Sequence, residues 1–459
     1  MNRGAFPASL LRRHVDNAQS VNSRTDTSAL SSPHSRRGFL KQSSATLAGA
    51  GLAATIGAPA ISCGQGTSDL IKIGMIGCGG RNTGAAQQAL TADSNVQLWA
   101  MADVFPEQIE KSLKTLKVQQ EKTPEKIDVA KARRFVGLEA YKELLGSGID
   151  MVLIATPGGF RPIHLRAAVE AGKHIFCEKP MAVDPTGVRS VMESVRIAKQ
   201  KNLALRAGFN MRFEPQYREA QQRIREGQIG EIKTIYSTRM SSRLARFDGV
   251  RKPGMGDLEW QLRNWHYFNW LSGDLIMEIS VHSVDKIAWT MNDVPPARIV
   301  ASGARHQQTV GNIWDQFDVT YEYDNGVMAL LKTRYQTGCF NEHKDLIIGT
   351  KGVCELGWGK AQITGETRWR YDGPKASSHQ VEHDELFADI RSGKLPNDGD
   401  RMAKSTLMGI AGRMSAYTGK ALTWEQALNS KLDTMPKNLD WDMKLPVAPI
   451  PEPGKTELI

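Results

Sequence analysis

Residues 71–84 read Ile71-Lys72-Ile73-Gly74-Met75-Ile76-Gly77-Cys78-Gly79-Gly80-Arg81-Asn82-Thr83-Gly84. The first six are mostly apolar and have the length of a buried parallel strand. The chain then passes through three glycines in four positions and enters a helical stretch, Ala85 to Leu90. Strand, glycine turn and helix in this order are the setting a dinucleotide fingerprint requires. Gly77 permits the tight turn and Gly79 lets the backbone approach a pyrophosphate. The helix N-terminus offers free N–H groups and a partial positive charge. Cys78, Gly80, Arg81 and Asn82 complete the candidate cofactor loop. The third glycine of G-x-G-x-x-G falls at Asn82, so close helix packing has to be achieved another way. A glycine turn alone is also what any tight turn uses.

The next strand strengthens the reading. Val96 to Asp103 ends in a carboxylate about twenty residues past the loop, placed to accept both ribose hydroxyls. Such a carboxylate repels a 2′-phosphate, which favours NAD; Arg81 leaves NADP open. The βα alternation continues through strands at 149–155, 174–177 and 203–208. Helices run from Pro162 to Gly172 and from Asp184 or Thr186 to Lys201. This pattern predicts a Rossmann-type, doubly wound parallel sheet over residues 68–210. Ligands of such sheets sit beyond the strand carboxyl ends. There lie Asp103, Thr156-Pro157 and Glu178-Lys179-Pro180, with His164 on the following helix.

From Glu231 the pattern turns to alternating strands, at 232–240, 298–303, 317–323 and 327–333, with Asp324-Asn325-Gly326 as a hairpin turn. Residues 211–435 therefore read as a second, α+β domain with a large, mainly antiparallel sheet. Residues 436–459 form a proline-rich tail, extended over the surface. Trp260, Trp265, Tyr267, Phe268 and Trp270 either stack on a ligand ring or pack in a core. His379-Gln380-Val381-Glu382-His383 fits H-x-x-E-H, a zinc pattern. It precedes a stretch, Asp384 to Ser392, that reads as a capped surface helix, and no metal site is expected.

The bulk composition is that of a soluble globular chain of 459 residues, 41% hydrophobic and 24% charged. Residues 1–60 hold seven basic side chains against two acids, so about half of the net charge of +10 sits there. The remainder is too dilute to argue for nucleic acid. The five cysteines, Cys63, Cys78, Cys177, Cys339 and Cys354, form no C-x-x-C pair and suggest no disulfide framework. Ser35-Arg36-Arg37-Gly38-Phe39-Leu40-Lys41, the uncharged stretch Ala45 to Ile61 and Ala58-Pro59-Ala60 together resemble a twin-arginine signal peptide. Residues 1–62 are thus expected to be a leader read by the twin-arginine export machinery, with the folded protein delivered to the periplasm or cell envelope. Ala60-Ile61-Ser62-Cys63 also resembles a lipobox, which would anchor the chain through Cys63.

Glu178-Lys179-Pro180 after an apolar strand and a glycine loop, Ala171-Gly172-Lys173-His174, and Ala207-Gly208-Phe209-Asn210-Met211-Arg212-Phe213 carry a more specific likeness. With the segment around His282, they resemble the glucose–fructose oxidoreductase / inositol dehydrogenase family over residues 68–430. The resemblance implies a Rossmann domain followed by a domain whose open sheet holds the substrate site and often an oligomer interface, hence a homo-oligomer. It implies Lys179 as a catalytic lysine and His282 as the base, with an acid four residues earlier. That acid is usually Asp and here is Glu278, whose longer arm shifts it towards orienting His282. On one helix the two share a face. His282 and Asp285 match H-x-x-D, and Arg212 and Asp285 are candidate substrate ligands. Three functions suit these residues. The first is oxidation of a sugar, glycoside or polyol hydroxyl with tightly held NAD(P). The second is redox-neutral glycoside cleavage through transient oxidation and elimination. The third is sugar binding without catalysis.

Overall fold

The computed structural model describes residues 69–242 and 249–459. All of them belong to the unit Ile56–Ile459. The leader, the twin-arginine segment and Cys63 lie outside the described residues.

The first half alternates strictly. β1 (Ile71–Ile76), α1 (Gly80–Ala92), β2 (Val96–Asp103), α2 (Pro106–Gln119), β3 (Arg134–Val136) and α3 (Ala140–Leu145) come first. β4 (Met151–Ile154), α4 (Arg161–Glu170), β5 (His174–Cys177), α5 (Pro185–Gln200) and β6 (Leu205–Ala207) follow. Among the described residues the strands form one parallel sheet in the order β3-β2-β1-β4-β5-β6. The strand order reverses between β1 and β4, which is where a doubly wound sheet opens a crevice. The central strands are buried on both faces, as continuous apolar runs require. The helix over 185–200 begins where the sequence places its cap, with Asp184 Oδ1 accepting from the Gly187 N–H at 2.7 Å.

α6 (Pro215–Arg225) leads into β7 (Ile232–Ser241). Four short helices follow: α7 (Asp257–Arg263), α8 (Asn269–Ser272), α9 (Asp274–Glu278) and α10 (Val281–Thr290). Then come β8 (Arg298–Ala304), β9 (Gln316–Glu322), β10 (Met328–Tyr335), β11 (Glu342–Gly349), β12 (Gly352–Gly357), β13 (Lys360–Gly365) and β14 (Trp369–Arg370). The chain continues through α11 (Ser378–Arg391), α12 (Gly399–Thr418), β15 (Leu422–Thr423) and α13 (Trp424–Asn429). The second sheet has the order β14-β13-β12-β11-β7-β10-β9-β8-β15 among the described residues. Its pairings are antiparallel except β7 with β10, so it is mixed and mostly antiparallel. The β9–β10 hairpin closes at Asp324-Asn325-Gly326, where Gly326 takes a left-handed φ of 80°.

One element differs from expectation. α11 starts at Ser378 and is no surface helix, since Glu382 and His383 are fully buried. Leu386, Phe387 and Ile390 join Ile73, Met75 and Ala85 in one apolar cluster. A helix from beyond the second sheet thus covers the first sheet on the side of α1 and α2. The aromatic segment also resolves towards packing. Tyr267, Phe268 and Trp270 form a core with Phe160 and Leu275, against which Trp260, Trp265, Met435 and the tail residues Leu439 and Leu445 rest. Among the described residues no helix is long and apolar enough to cross a membrane.

Candidate active site

The glycine turn ends at the first residue of α1. Gly77 has a φ of 83°, a conformation open to glycine at little cost. A Cβ on Gly79 or Gly80 would meet nothing within 4 Å. Space therefore lies open over a helix N-terminus that has no side-chain cap and no acid in its first turn. Its free N–H groups and dipole suit a pyrophosphate. Asp103 ends β2 beside this loop and accepts from the Cys78 N–H at 2.6 Å and the Phe105 N–H at 2.9 Å. Burial pushes its carboxyl up from the ordinary range against those two donors. These residues fit a dinucleotide whose ribose lies on Asp103.

Four expected cofactor contacts have other partners. The Asn82 side chain is buried and donates to the carbonyls of Ile76, Gly77 and Leu153 at 2.7–3.1 Å. It ties α1 to β1 and β4, which is how close helix packing survives without the third glycine. Cys78 buries its thiol against Ala102, and burial raises that thiol well above its usual range, so only its backbone faces the loop. The Arg81 guanidinium turns along α1 to the Glu178 carboxylate and to Gln88 Oε1 at 3.0 Å. It therefore does not neutralise Asp103. His164 is packed between Tyr141 and Phe160 and reaches the loop only through Thr156 Oγ1 at 3.1 Å. Burial and then Arg161 lower it to about 3, so it stays neutral.

At the end of β5 the side chains of Glu178 and Lys179 point to different partners. Burial acts to raise Glu178, but Arg81 and Lys179 outweigh it and hold the carboxylate below its usual range. Lys179 Nζ crosses to the second half of the chain and donates to the Glu278 carbonyl at 2.6 Å. Burial lowers its ammonium from the usual range, against the Glu278 and Glu178 carboxylates. His282, on α10, is partly exposed, with its ring edge-on to Phe209 and Nδ1 buried without a hydrogen-bond partner. Burial, Lys179 and Arg239 depress it well below 6.5.

The expected helical face shared by Glu278 and His282 does not form. α9 ends at Glu278 and α10 begins at Val281, with a wider turn at Ser280, whose N–H donates to the Leu275 carbonyl at 3.3 Å. The break sends the Glu278 carboxylate towards Lys179, and its Oε2 has no hydrogen-bond partner. Arg212 and Asp285 are also corrected. They are buried and joined by a double contact at 2.9–3.1 Å. Asp293 and Ser405 Oγ complete the cluster, so neither charge is left for a substrate.

Sequence reasoning passed over Arg239 and Tyr335, which the second sheet brings under α10. Arg239 acts on both His282 and Tyr335 and leaves its Nε without a partner. Tyr335 hydrogen-bonds Ser280 Oγ at 3.3 Å. Only their odd-numbered places on strands β7 and β10, facing the core, signalled this. Among the described residues no group of three His, Cys, Asp or Glu side chains is arranged to hold a metal ion.

An anion-ready glycine loop, a carboxylate at the end of β2, a lysine after β5 and a histidine on α10 under that lysine's charge are the parts a nicotinamide-dependent oxidoreductase needs. The comparisons with known proteins agree. The profile of the oxidoreductase family with an NAD-binding Rossmann fold, GFO/IDH/MocA, matches residues 71–209, and the GFO/IDH/MocA C-terminal domain matches residues 217–355. Together they span more than half of the chain, which belongs to this family. It is similar to the oxidoreductase YrbE of Bacillus subtilis (strain 168), 26% identical over 46% of this chain and 57% of that protein. It also resembles inositol 2-dehydrogenase of Rhizobium meliloti (strain 1021), 24% identical over 62% of this chain and 74% of the other. With 2,7-anhydro-N-acetylneuraminate hydratase of Escherichia coli (strain K12) the identity is 25% over 52% and 62%. The aldose-aldose oxidoreductase structure from Caulobacter crescentus shares the fold with a TM-score of 0.61 at 19% identity, covering 77% of this chain and 99% of that one.

Proposed function

We propose that this protein oxidises a hydroxyl of a sugar, glycoside or polyol, using NAD held at the glycine loop and Asp103. The observation that carries the reading is the Lys179 hydrogen bond to the Glu278 carbonyl, which carries the lysine across from the end of the parallel sheet to the second half of the chain, where its charge acts on His282. The bound nicotinamide supplies a hydride acceptor. The chain supplies the rest. His282, kept neutral, takes the hydroxyl proton as the carbonyl forms. Lys179 donates a hydrogen bond to the same substrate oxygen and stabilises its developing negative charge. Glu278 beside Lys179 keeps the ammonium charged enough to do so. The relatives include both a dehydrogenase and a hydratase, which supports redox-neutral elimination as a second reading at the same residues.

The twin-arginine segment supports export of the folded protein to the periplasm or envelope. NAD would then be loaded before transport and held tightly, and Cys63 would serve as a lipid anchor if the lipobox is used. Self-association belongs to the same proposal. Tyr236, Leu330 and Leu346 stand in one row on the sheet face away from α10.

Mass spectrometry of small molecules released from the denatured, exported protein tests the reading. Stoichiometric NAD supports it; no nucleotide, and no uptake of added NAD, would overturn it. Product analysis then separates net oxidation from glycoside cleavage without redox change. Full activity of Lys179→Ala would revive a non-catalytic, sugar-binding role.

A further inference from the structure

The sheet register draws a line outward from His282. Arg239 on β7 pairs directly with His343 on β11, and with Thr333 on β10. These side chains share the face covered by α10. Lys286 of α10 is ion-paired with Asp345, and Asp345 Oδ1 accepts from Ser237 Oγ at 2.5 Å. Asp345 and Ser237 lie two residues along from His343 and Arg239, on the same side of the sheet. His282 precedes Lys286 by one helical turn, which sets it over the Arg239–His343 pair. In keeping with this, Arg239 and Lys286 both act on His282 and on His343.

The line ends in solvent at Trp358, in the turn Gly357-Trp358-Gly359 between β12 and β13. Its ring meets the His343 ring edge-on, with centroids 5.0 Å apart. The residue is nevertheless 73% exposed, the most exposed of the large hydrophobic side chains described. His343 is fixed from behind, 2.7 Å from Ser241 Oγ, so the indole rests on a held support. Burial and then Arg239 bring His343 down to about 4, so it is uncharged at neutral pH. Strands lie about 4.8 Å apart. Trp358 therefore stands about two spacings, ~10 Å, from Arg239, within the length of a disaccharide whose first ring is held over His282.

We propose that His343 and Trp358 form a subsite for a second, uncharged sugar ring. The substrate is then a glycoside or short oligosaccharide whose reacting ring lies at Lys179 and His282 and whose next ring stacks on Trp358. This rests on the sugar reading above and narrows it. An indole face offers a large, rigid apolar surface to the C–H side of a pyranose while leaving its hydroxyls in water.

The test is titration of the NAD-loaded protein with methyl pyranosides and with matching disaccharides, followed by calorimetry, for the native chain, Trp358→Ala and Trp358→Phe. We expect at least one disaccharide to bind about five- to tenfold tighter than its methyl pyranoside. Trp358→Ala should abolish that advantage and Trp358→Phe retain most of it. Equal affinities in the native chain, or an advantage that survives Trp358→Ala, would overturn the subsite while leaving the single-ring site intact. Failure of every carbohydrate to bind the loaded protein would overturn both. Light scattering on the same samples covers the competing use of an exposed indole. A change of oligomeric state in Trp358→Ala with sugar affinities unchanged would make it a protein contact and refute the subsite.

Discussion

Lys179 is asked to stay charged in a place that discourages charge. Burial lowers its ammonium, and Glu278 and Glu178 work against that. On the proposed mechanism, removing the side chain takes away both a hydrogen bond to the substrate oxygen and the charge that stabilises an alkoxide. Lys179→Ala should therefore lose about a thousandfold in kcat while NAD content, read by absorbance after denaturation, is unchanged. On the same mechanism His282 sets the pH dependence. Its pKa is depressed below 6.5 by burial and by Lys179, so its proton-accepting form persists as the pH falls. Oxidation measured as kcat/KM should stay level from about pH 8 down past its ordinary value, with the acid limb only beneath it; a limb at or above 6.5 would show a different base. On the proposed reading Asp103 makes the cofactor choice without help from Arg81, which is bound to Glu178. Asp103→Asn should weaken NAD about tenfold or more, measured by fluorescence titration, and narrow the gap to NADP.

Elements are held at the site by a few close approaches. Arg413 of α12 is buried and donates to the carbonyls of Gly273 and Val183 and to Asn269, so one side chain ties together α8, α9 and the segment after β5. A Cβ on Gly159 would come within 2.1 Å of the Trp270 carbonyl oxygen, which is backbone and cannot turn aside. Gly159→Ala should cost about 3 kcal/mol, read in urea unfolding, and disturb the loop carrying Thr156 and Pro157. Asn82 does by hydrogen bonding what a glycine does by absence of a side chain; losing its three bonds in Asn82→Ala should cost about 2 kcal/mol. The strand–glycine–helix order was legible because each signal is local: apolar run, turn residue, cap. The break between α9 and α10 was not, because Gly273 to Asp285 has no proline and its apolar spacing suits one helix. α11 was read as a surface element for a related reason. Its polar residues mark exposure only until α1 and β5 close over them.

At the scale of the whole molecule, the sheet face away from α10 leaves Met328 44% and Ile348 37% exposed beside the Tyr236 row. Such a face favours a partner of its own kind. Light scattering should report an oligomer, and Leu330→Asp should shift it towards monomer with the NAD content unchanged. On the proposed twin-arginine route, export is separable from folding. Replacing Arg36 and Arg37 together by lysine should leave a folded, NAD-loaded protein in the cytoplasm, seen by cell fractionation.

The sequence by itself determined the parallel sheet, the dinucleotide loop and the chemical types at the strand ends, because these follow from periodicity and turn chemistry within about thirty residues. It also supplied Lys179 and His282, though only through likeness to a family. The tertiary structure alone decided which charges are free to act. Arg212 and Asp285 neutralise each other at a sequence separation of 73 residues, and Arg239 reaches His282 only because β7 and α10 face one another. Pairing across such distances is set by how the two sheets pack, and no local pattern of residues encodes it.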